Sequence, residues 1–265
     1  MLTNFFRPPL RPRPPWLNVP VSPAPPAKPD RAPAVTGPGD TPARARTGTR
    51  TRASLTTEAI VTTAMQLIEE HGGTGLSVRR LGAALGCDPT AVYRHFPSMD
   101  ALLLAVGDRL ISQALARYEP GEDWRENLRL LANCTYAAYL AHPRVAILVA
   151  ARVTGGEHET KVIDTVLGEL RRAGFAGEQA VRLYRTFGDT VLAFSAVDAE
   201  YLASSPESRN ADLHRWQEAY GAVDPERYPN LAALAPIVIE HAEVHSFELC
   251  LDLLIDTFER LAPKG

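Results

Sequence analysis

From residue 55 onward the apolar positions of this chain recur three and four apart, the spacing of one helix face. Alternating β-branched runs and Asn-Gly hairpin signals do not interrupt them. Ile60, Ala64, Leu67 and Ile68 form the first stripe. Thr56 stands where an N-cap would, Leu55 and Ile60 are spaced as a hydrophobic staple, Glu58 suits the first turn, and Gly72 stops the helix. Ser77 then caps a short second helix with Val78, Leu81, Ala84 and Leu85 inward, and Gly86 ends it. Asp88 caps a third, very short helix whose first position is Pro89, where the missing N–H costs nothing. Phe96-Pro97 closes it, and Ser98 caps a fourth, long helix. Further helices are predicted near 123–141, 143–152, 158–174, 177–203, 208–220 and 236–262, with a loop over 224–234. The last helix carries Phe247, Leu251, Leu254, Ile255 and Phe258 on one broad apolar face. The pattern predicts an all-α fold: a three-helix unit containing a helix-turn-helix over 53–100, then a helical bundle over 101–265.

Residues 1–52 stand apart. Thirteen of the 22 prolines lie in residues 1–53. Proline lacks the N–H and restricts its predecessor, so a disordered extension with polyproline character is expected. Charge sharpens the division: the net is +7 over 1–53, -2 over 54–100 and -8 over the remainder. A basic arm on an acidic body points to a polyanion met at the N-terminal end, with a solvated tail as the other reading. No apolar run approaches the ~18 residues of a membrane span, and the proline-broken N-terminus has no continuous apolar stretch of a signal peptide. Cys87, Cys134 and Cys250 are odd in number and far apart, which suits reduced thiols rather than a disulfide framework or a zinc site.

The candidate chemistry centres on "GCDPTAVYRHF", Gly86 to Phe96. Consecutive helical residues point about 100° apart, so Tyr93, Arg94 and His95 cannot all be buried on one stripe. They must meet something outside the fold. Signs of catalysis are missing: there is no G-x-S-x-G and no phosphate-binding loop, and "GGTG" at 72–75 reads as a helix-ending turn. "HAEVH", His241 to His245, puts two histidines on one face, but the zinc-protease pattern has Glu directly after the first His, and Glu243 is third. An enzyme, a cofactor and a metal are therefore not expected.

Over residues 55–106 the sequence resembles the TetR family of bacterial repressors, in the glycine turn, the Tyr-x-His-Phe and the Leu-rich helix that follows. "HPRVAILVAAR", "ELRRAGF" and "FELCLDLLIDTFERL" resemble the effector domain of the tetracycline-repressor branch, collinear to residue 261. Residues 1–52 lie outside the resemblance. It implies that the helix from Asp88 to Phe96 enters the DNA major groove, with Val92 and Phe96 toward the core. Tyr93 and His95 would then donate to phosphates on either side. Thr90, Ala91 and Arg94 would face base edges, the first two suited to thymine methyls and Arg94 to guanine O6/N7. Arg79 matches a position that reaches bases, and the Ser77 and Thr90 hydroxyls are expected at the backbone. Half-buried packing for Tyr93 and a plain surface role for His95 are the alternatives. Where relatives often carry a phosphate-binding Lys this chain has Met99, and Arg50 and Arg52, with Arg44 and Arg46, would compensate from the arm unless the arm is inert.

The same resemblance implies a small-molecule effector. A metal-ligating histidine of tetracycline repressors falls on Val149 here, and drug-contact positions fall on Leu131, Thr135 and near Leu115, with Arg152 as a further polar group. Valine cannot coordinate a metal, so the expected effector is largely apolar and metal-independent. The reading is a cytoplasmic regulator, nucleoid-associated when bound to double-stranded operator DNA. It would be a homodimer through 177–203 and 236–262, with no membrane partner. The alternative is a DNA-binding regulator without a small-molecule effector, controlled by a protein partner.

Overall fold

Side-chain caps set where the first helices begin. In α1 (Thr57–His71) the Thr56 hydroxyl accepts the Ala59 N–H at 3.1 Å, and in α2 (Val78–Leu85) the Ser77 hydroxyl accepts that of Arg80 at 3.3 Å. A 3-10 turn, Pro89–Arg94, follows with Asp88 as its cap. Ser98 starts α3 (Met99–Leu115) by accepting the Ala101 N–H at 3.0 Å. The chain continues through α4 (Trp124–Leu140), α5 (Pro143–Val149), α6 (Glu157–Arg172), α7 (Gly177–Ala203), α8 (Pro206–Gly221), α9 (Pro229–Glu240) and α10 (Phe247–Leu261). This computed structural model describes residues 55–242 and 246–263, and every regular element among them is helical. The extension expected over 1–52 lies outside the described residues.

Two expectations need correction. The single helix expected over 236–262 is two helices, and half of the loop expected over 224–234 belongs to the first of them. Pro229 occupies a helix start, where proline is tolerated, and Pro236 lies on the exposed side of α9. The second correction concerns α2: Ala84 is exposed and Gly82 is buried, because the 3-10 turn folds down onto Gly82.

Two large hydrophobic cores, with a small cluster of Ala114, Cys134 and Ala138, hold the described residues together. The first gathers Ile60, Ala64, Ile68, Leu81, Val92 and Phe96 with Leu102, Val106 and Leu110 of α3, and runs on into Val145, Val149 and Ala199. The three-helix unit therefore shares its core with α5 and α7. The second core lies between α4, α6, α7 and α10, and includes Leu128, Leu131, Phe175, Phe187, Ile255 and Phe258. α8 and α9 pack mainly on each other: α8 buries no residue and α9 only Ala235.

Charged groups close a triangle of α1, α3 and α5. Arg109 of α3 pairs with Glu58 of α1, and Arg152, just past α5, pairs with Asp100 of α3 at 2.7 Å. On the third side α1 and α5 cap each other. Arg144 Nη1 donates to the carbonyls of Glu69 and Glu70 at 2.9 and 3.0 Å, while Glu69 Oε1 accepts the Val145 N–H at 2.9 Å. The C-terminal carbonyls of one helix and an orphan N–H of the other are satisfied at one joint. The exposed ion pairs add little stability. They fix geometry, tying the three-helix unit to α3 and α5.

His142 precedes this joint. Burial holds its pKa below the ordinary 6.5, with the Glu69 carboxylate opposing and Arg117 reinforcing. As pH falls through 6.5 the unfolded chain takes up a proton that the folded chain refuses, so this contribution is present at higher pH and lost on acidification. The melting temperature should fall less steeply below pH 6.5 in His142→Asn than in wild type. Parallel melting curves of the two proteins across that range would exclude the effect.

Candidate nucleic-acid interface

α2 and the 3-10 turn present the residues singled out above. Gly86 ends α2 with φ 62° and ψ 32°, the left-handed conformation that favours glycine, and this reverses the chain in one residue. Gly82 permits the closest approach: a Cβ there would stand 3.0 Å from Cys87 O and from two atoms of Pro89. The turn is thereby seated on α2, with Val92 and Phe96 in the core and Tyr93, Arg94 and His95 exposed. Thr90 and Arg79 are exposed, and Ala91 and Ser77 half-buried. Tyr93 is 48% exposed, so its ring is available to an outside partner. Met99 packs against the first core. Arg50 and Arg52 lie outside the described residues.

Periodicity missed three features here. Thr57 Oγ1 lies 3.3 Å from His95 Nδ1, which orients the ring and leaves Nε2 for an outside acceptor. Arg80, beside Arg79, is also exposed. Asp88 accepts both the N–H of Thr90, at 2.8 Å, and its hydroxyl, at 2.5 Å. The Thr90 hydroxyl is the main cause that holds the Asp88 carboxyl below its ordinary value, followed by the Thr90 N–H, with the Arg94 charge adding. The Asp-x-Thr spacing of such a cap was present in the sequence as its only signal.

Arg94 is the one exposed guanidinium on the turn, so Arg94→Ala should cost about 1–3 kcal/mol of DNA binding and relax base preference at one position. Tyr93→Phe, which removes only a hydroxyl, should weaken all sites alike. A base-substitution profile unchanged by Arg94→Ala would rule out direct reading by that side chain.

The expected effector residues are not gathered in one place. Leu131 is buried in the second core and Val149 in the first. The Thr135 hydroxyl donates to Leu131 O at 2.9 Å, and Leu115 packs half-buried against the second core. Arg152 lines a groove of about 310 Å³ with Ala150, Glu159, Tyr184, Leu192 and Ala196. Tyr118, three residues after Leu115, buries its hydroxyl near the Glu169 carboxylate. Burial first and the negative charge of Glu169 second push its pKa up to about 12. Asp108 of α3 reaches the start of α6, accepting the Glu159 N–H at 3.0 Å and pairing with His158 Nδ1 at 2.7 Å. His241 bonds Ile237 O at 2.9 Å, and Glu243 and His245 lie outside the described residues.

Comparison with known proteins agrees with this geometry. Residues 60–106 match the family "Bacterial regulatory proteins, tetR family", and residues 118–261 match "Tetracyclin repressor-like, C-terminal domain". The chain is 26% identical over 166 residues to an HTH-type transcriptional regulator of Saccharopolyspora erythraea, covering 63% of this chain and 66% of that one. It is 27% identical over 210 residues to the class C tetracycline repressor protein of Escherichia coli, covering 78% of this chain and 92% of that one. The structure of the Streptomyces coelicolor protein ActR in complex with actinorhodin superposes with a TM-score of 0.71 at 23% identity, over 80% of this chain and 99% of that one.

Proposed function

Because this chain belongs to the TetR family of bacterial regulatory proteins, and is thus a DNA-binding transcriptional regulator, we propose that it is a ligand-responsive repressor. It binds double-stranded operator DNA in the cytoplasm as a homodimer and leaves the DNA when a small molecule occupies the C-terminal bundle. The observation that carries the DNA half is the division of one short turn into an inward pair, Val92 and Phe96, and an outward set of Thr90, Tyr93, Arg94 and His95. In this reading Ser77, Arg79, Thr90, Ala91, Tyr93, Arg94 and His95 form the DNA surface, and Arg50 and Arg52 neutralise phosphates from the arm.

Apolar side chains left uncovered on α7 and α10 support the dimer: Val181, Val197 and Leu202 on the one, Leu249 and Leu253 on the other. Two copies bring these faces together as a four-helix bundle. The two recognition turns then address half-sites about 34–36 Å apart.

The effector reading draws on the tetracycline repressor relative and on the fold shared with ActR. The proposed site is the groove lined by Arg152 with Ala150, Glu159, Tyr184, Leu192 and Ala196, next to Val149 in the chain, while Leu115, Leu131 and Thr135 of the expected set stand apart from it. Val149 offers no metal ligand, so the effector is largely apolar and acts without a metal. The triangle of α1, α3 and α5 passes a displacement of α5 to the three-helix unit. Operator and effector then oppose each other by the same factor in both directions.

The test is fluorescence polarisation of the full-length protein on the DNA flanking its own gene, at physiological salt, with and without candidate ligands and a chelator. Saturable binding and release by an apolar ligand in the presence of chelator are the expected results. Binding no tighter than to random duplex would overturn the operator reading, and release that needs added magnesium would overturn the metal-free one.

A further inference from the structure

Two hydroxyls stand at the proposed DNA surface, and their hydrogen bonds leave them opposite capacities. At Ser77 the oxygen accepts the Arg80 N–H at 3.3 Å, so the hydroxyl proton stays free to be donated. At Thr90 the hydroxyl donates to Asp88 Oδ1 at 2.5 Å, and the Thr90 N–H donates to the same oxygen at 2.8 Å. An ionised carboxylate only accepts, so the proton in the short bond is the one Thr90 owns. Thr90 Oγ1 is then left with lone pairs alone, on an exposed residue of the recognition turn.

We infer that Thr90 is a dedicated acceptor that reads an exocyclic amine, adenine N6 or cytosine N4, and that Asp88 is the residue that positions it. Guanine O6, thymine O4 and the phosphate oxygens are acceptors and offer Thr90 no partner while Asp88 holds its proton. The resemblance implies a backbone role for both hydroxyls; their hydrogen bonds separate them, leaving phosphate to Ser77 and a base edge to Thr90. Asp88 also places a negative charge at the start of the turn, which keeps phosphates away from Thr90, while Arg94 offsets that charge locally. The inference rests on the reading that the recognition turn enters the major groove.

The experiment uses full-length protein and a duplex selected from a randomised library. Each adenine of the selected site is replaced in turn by purine and each cytosine by 2-pyrimidinone, which removes one exocyclic amine at a time. One replacement should weaken wild-type binding roughly three- to tenfold, the worth of a single hydrogen bond, and should leave Thr90→Val unaffected. Asp88→Asn keeps an acceptor oxygen and a good cap, so the dependence on that amine should persist. Asp88→Ala frees the hydroxyl to donate as well as accept, so the preference for an amine over an acceptor group at that base should relax. Thermal melting of each variant shows that it is folded. Arg94→Ala separates the two levels of the argument. If it alters base preference but no amine is coupled to Thr90, the acceptor role is overturned. Coupling of Thr90 to a phosphate, detected by methylphosphonate substitution, overturns it equally. If neither Arg94→Ala nor Thr90→Val alters any base preference, the groove reading falls and this inference with it.

Discussion

Truncation of Phe247 to alanine should cost about 3–5 kcal/mol of stability, the range for removing a buried aromatic side chain. Its ring is 2% exposed and stacks on Tyr136 with centroids 4.1 Å apart and planes 9° apart, with Phe194 tilted against it at 5.9 Å. The residue is the first of α10, so it seats that helix at its start, with Leu251, Ile255 and Phe258 continuing the buried stripe. At roughly 2–4 °C per kcal/mol for a chain of this size, the melting temperature should drop by about ten degrees. Tyr136→Phe, which keeps the ring and loses the 2.5 Å hydrogen bond to Asp198, should cost less, about 1–3 kcal/mol. Urea unfolding of the two variants checks the order. A Phe247→Ala loss below about 1 kcal/mol would show that this stack does not hold α10.

Gly82→Val should lower DNA affinity roughly 100-fold while the protein stays folded, because several contacts worth about 1–3 kcal/mol each lose their register together. A Cβ at position 82 already stands 3.0 Å from Cys87 O, Pro89 Cα and Pro89 Cγ, and the γ-methyls of valine add to the crowding. The turn must move, and hydrogen bonds to base edges tolerate displacements of only a few tenths of an ångström. Gly82→Ala should be much milder. The methyl strains the contact, but alanine is better than glycine in a helix by about 1 kcal/mol, which offsets part of the cost. Polarisation with a fixed operator duplex measures both. Binding of the valine variant at wild-type strength would mean that the approach of α2 to the turn does not position the reading residues.

Both effects involve residues that sequence patterns treat unequally. Phe247 falls on an apolar stripe and is legible as core. Gly82 sits mid-helix with no sign that another backbone approaches it, and Ala84 at a plausible inward position is exposed instead. The effector region was less legible still. The resemblance assigns Leu131 and Val149 to one effector pocket, yet they belong to different cores. Arg152 lines a groove, but its charge is spent on Asp100 of another helix.

The sequence by itself determined whatever depends on neighbours a few residues away. Thr56, Ser77, Asp88 and Ser98 cap their helices because each side-chain oxygen meets an N–H two or three residues on, a geometry encoded within one turn of chain. The helical periods follow from the same local rule, and the resemblance implied the inward placing of Val92 and Phe96. Only the tertiary structure decided that α9 and α10 are separate helices, that α1 and α5 cap each other through Glu69 and Arg144, and that Thr57 orients His95. These contacts join residues 38 to 76 positions apart, and the polar side chains that make them look like any solvated face until the helices are packed.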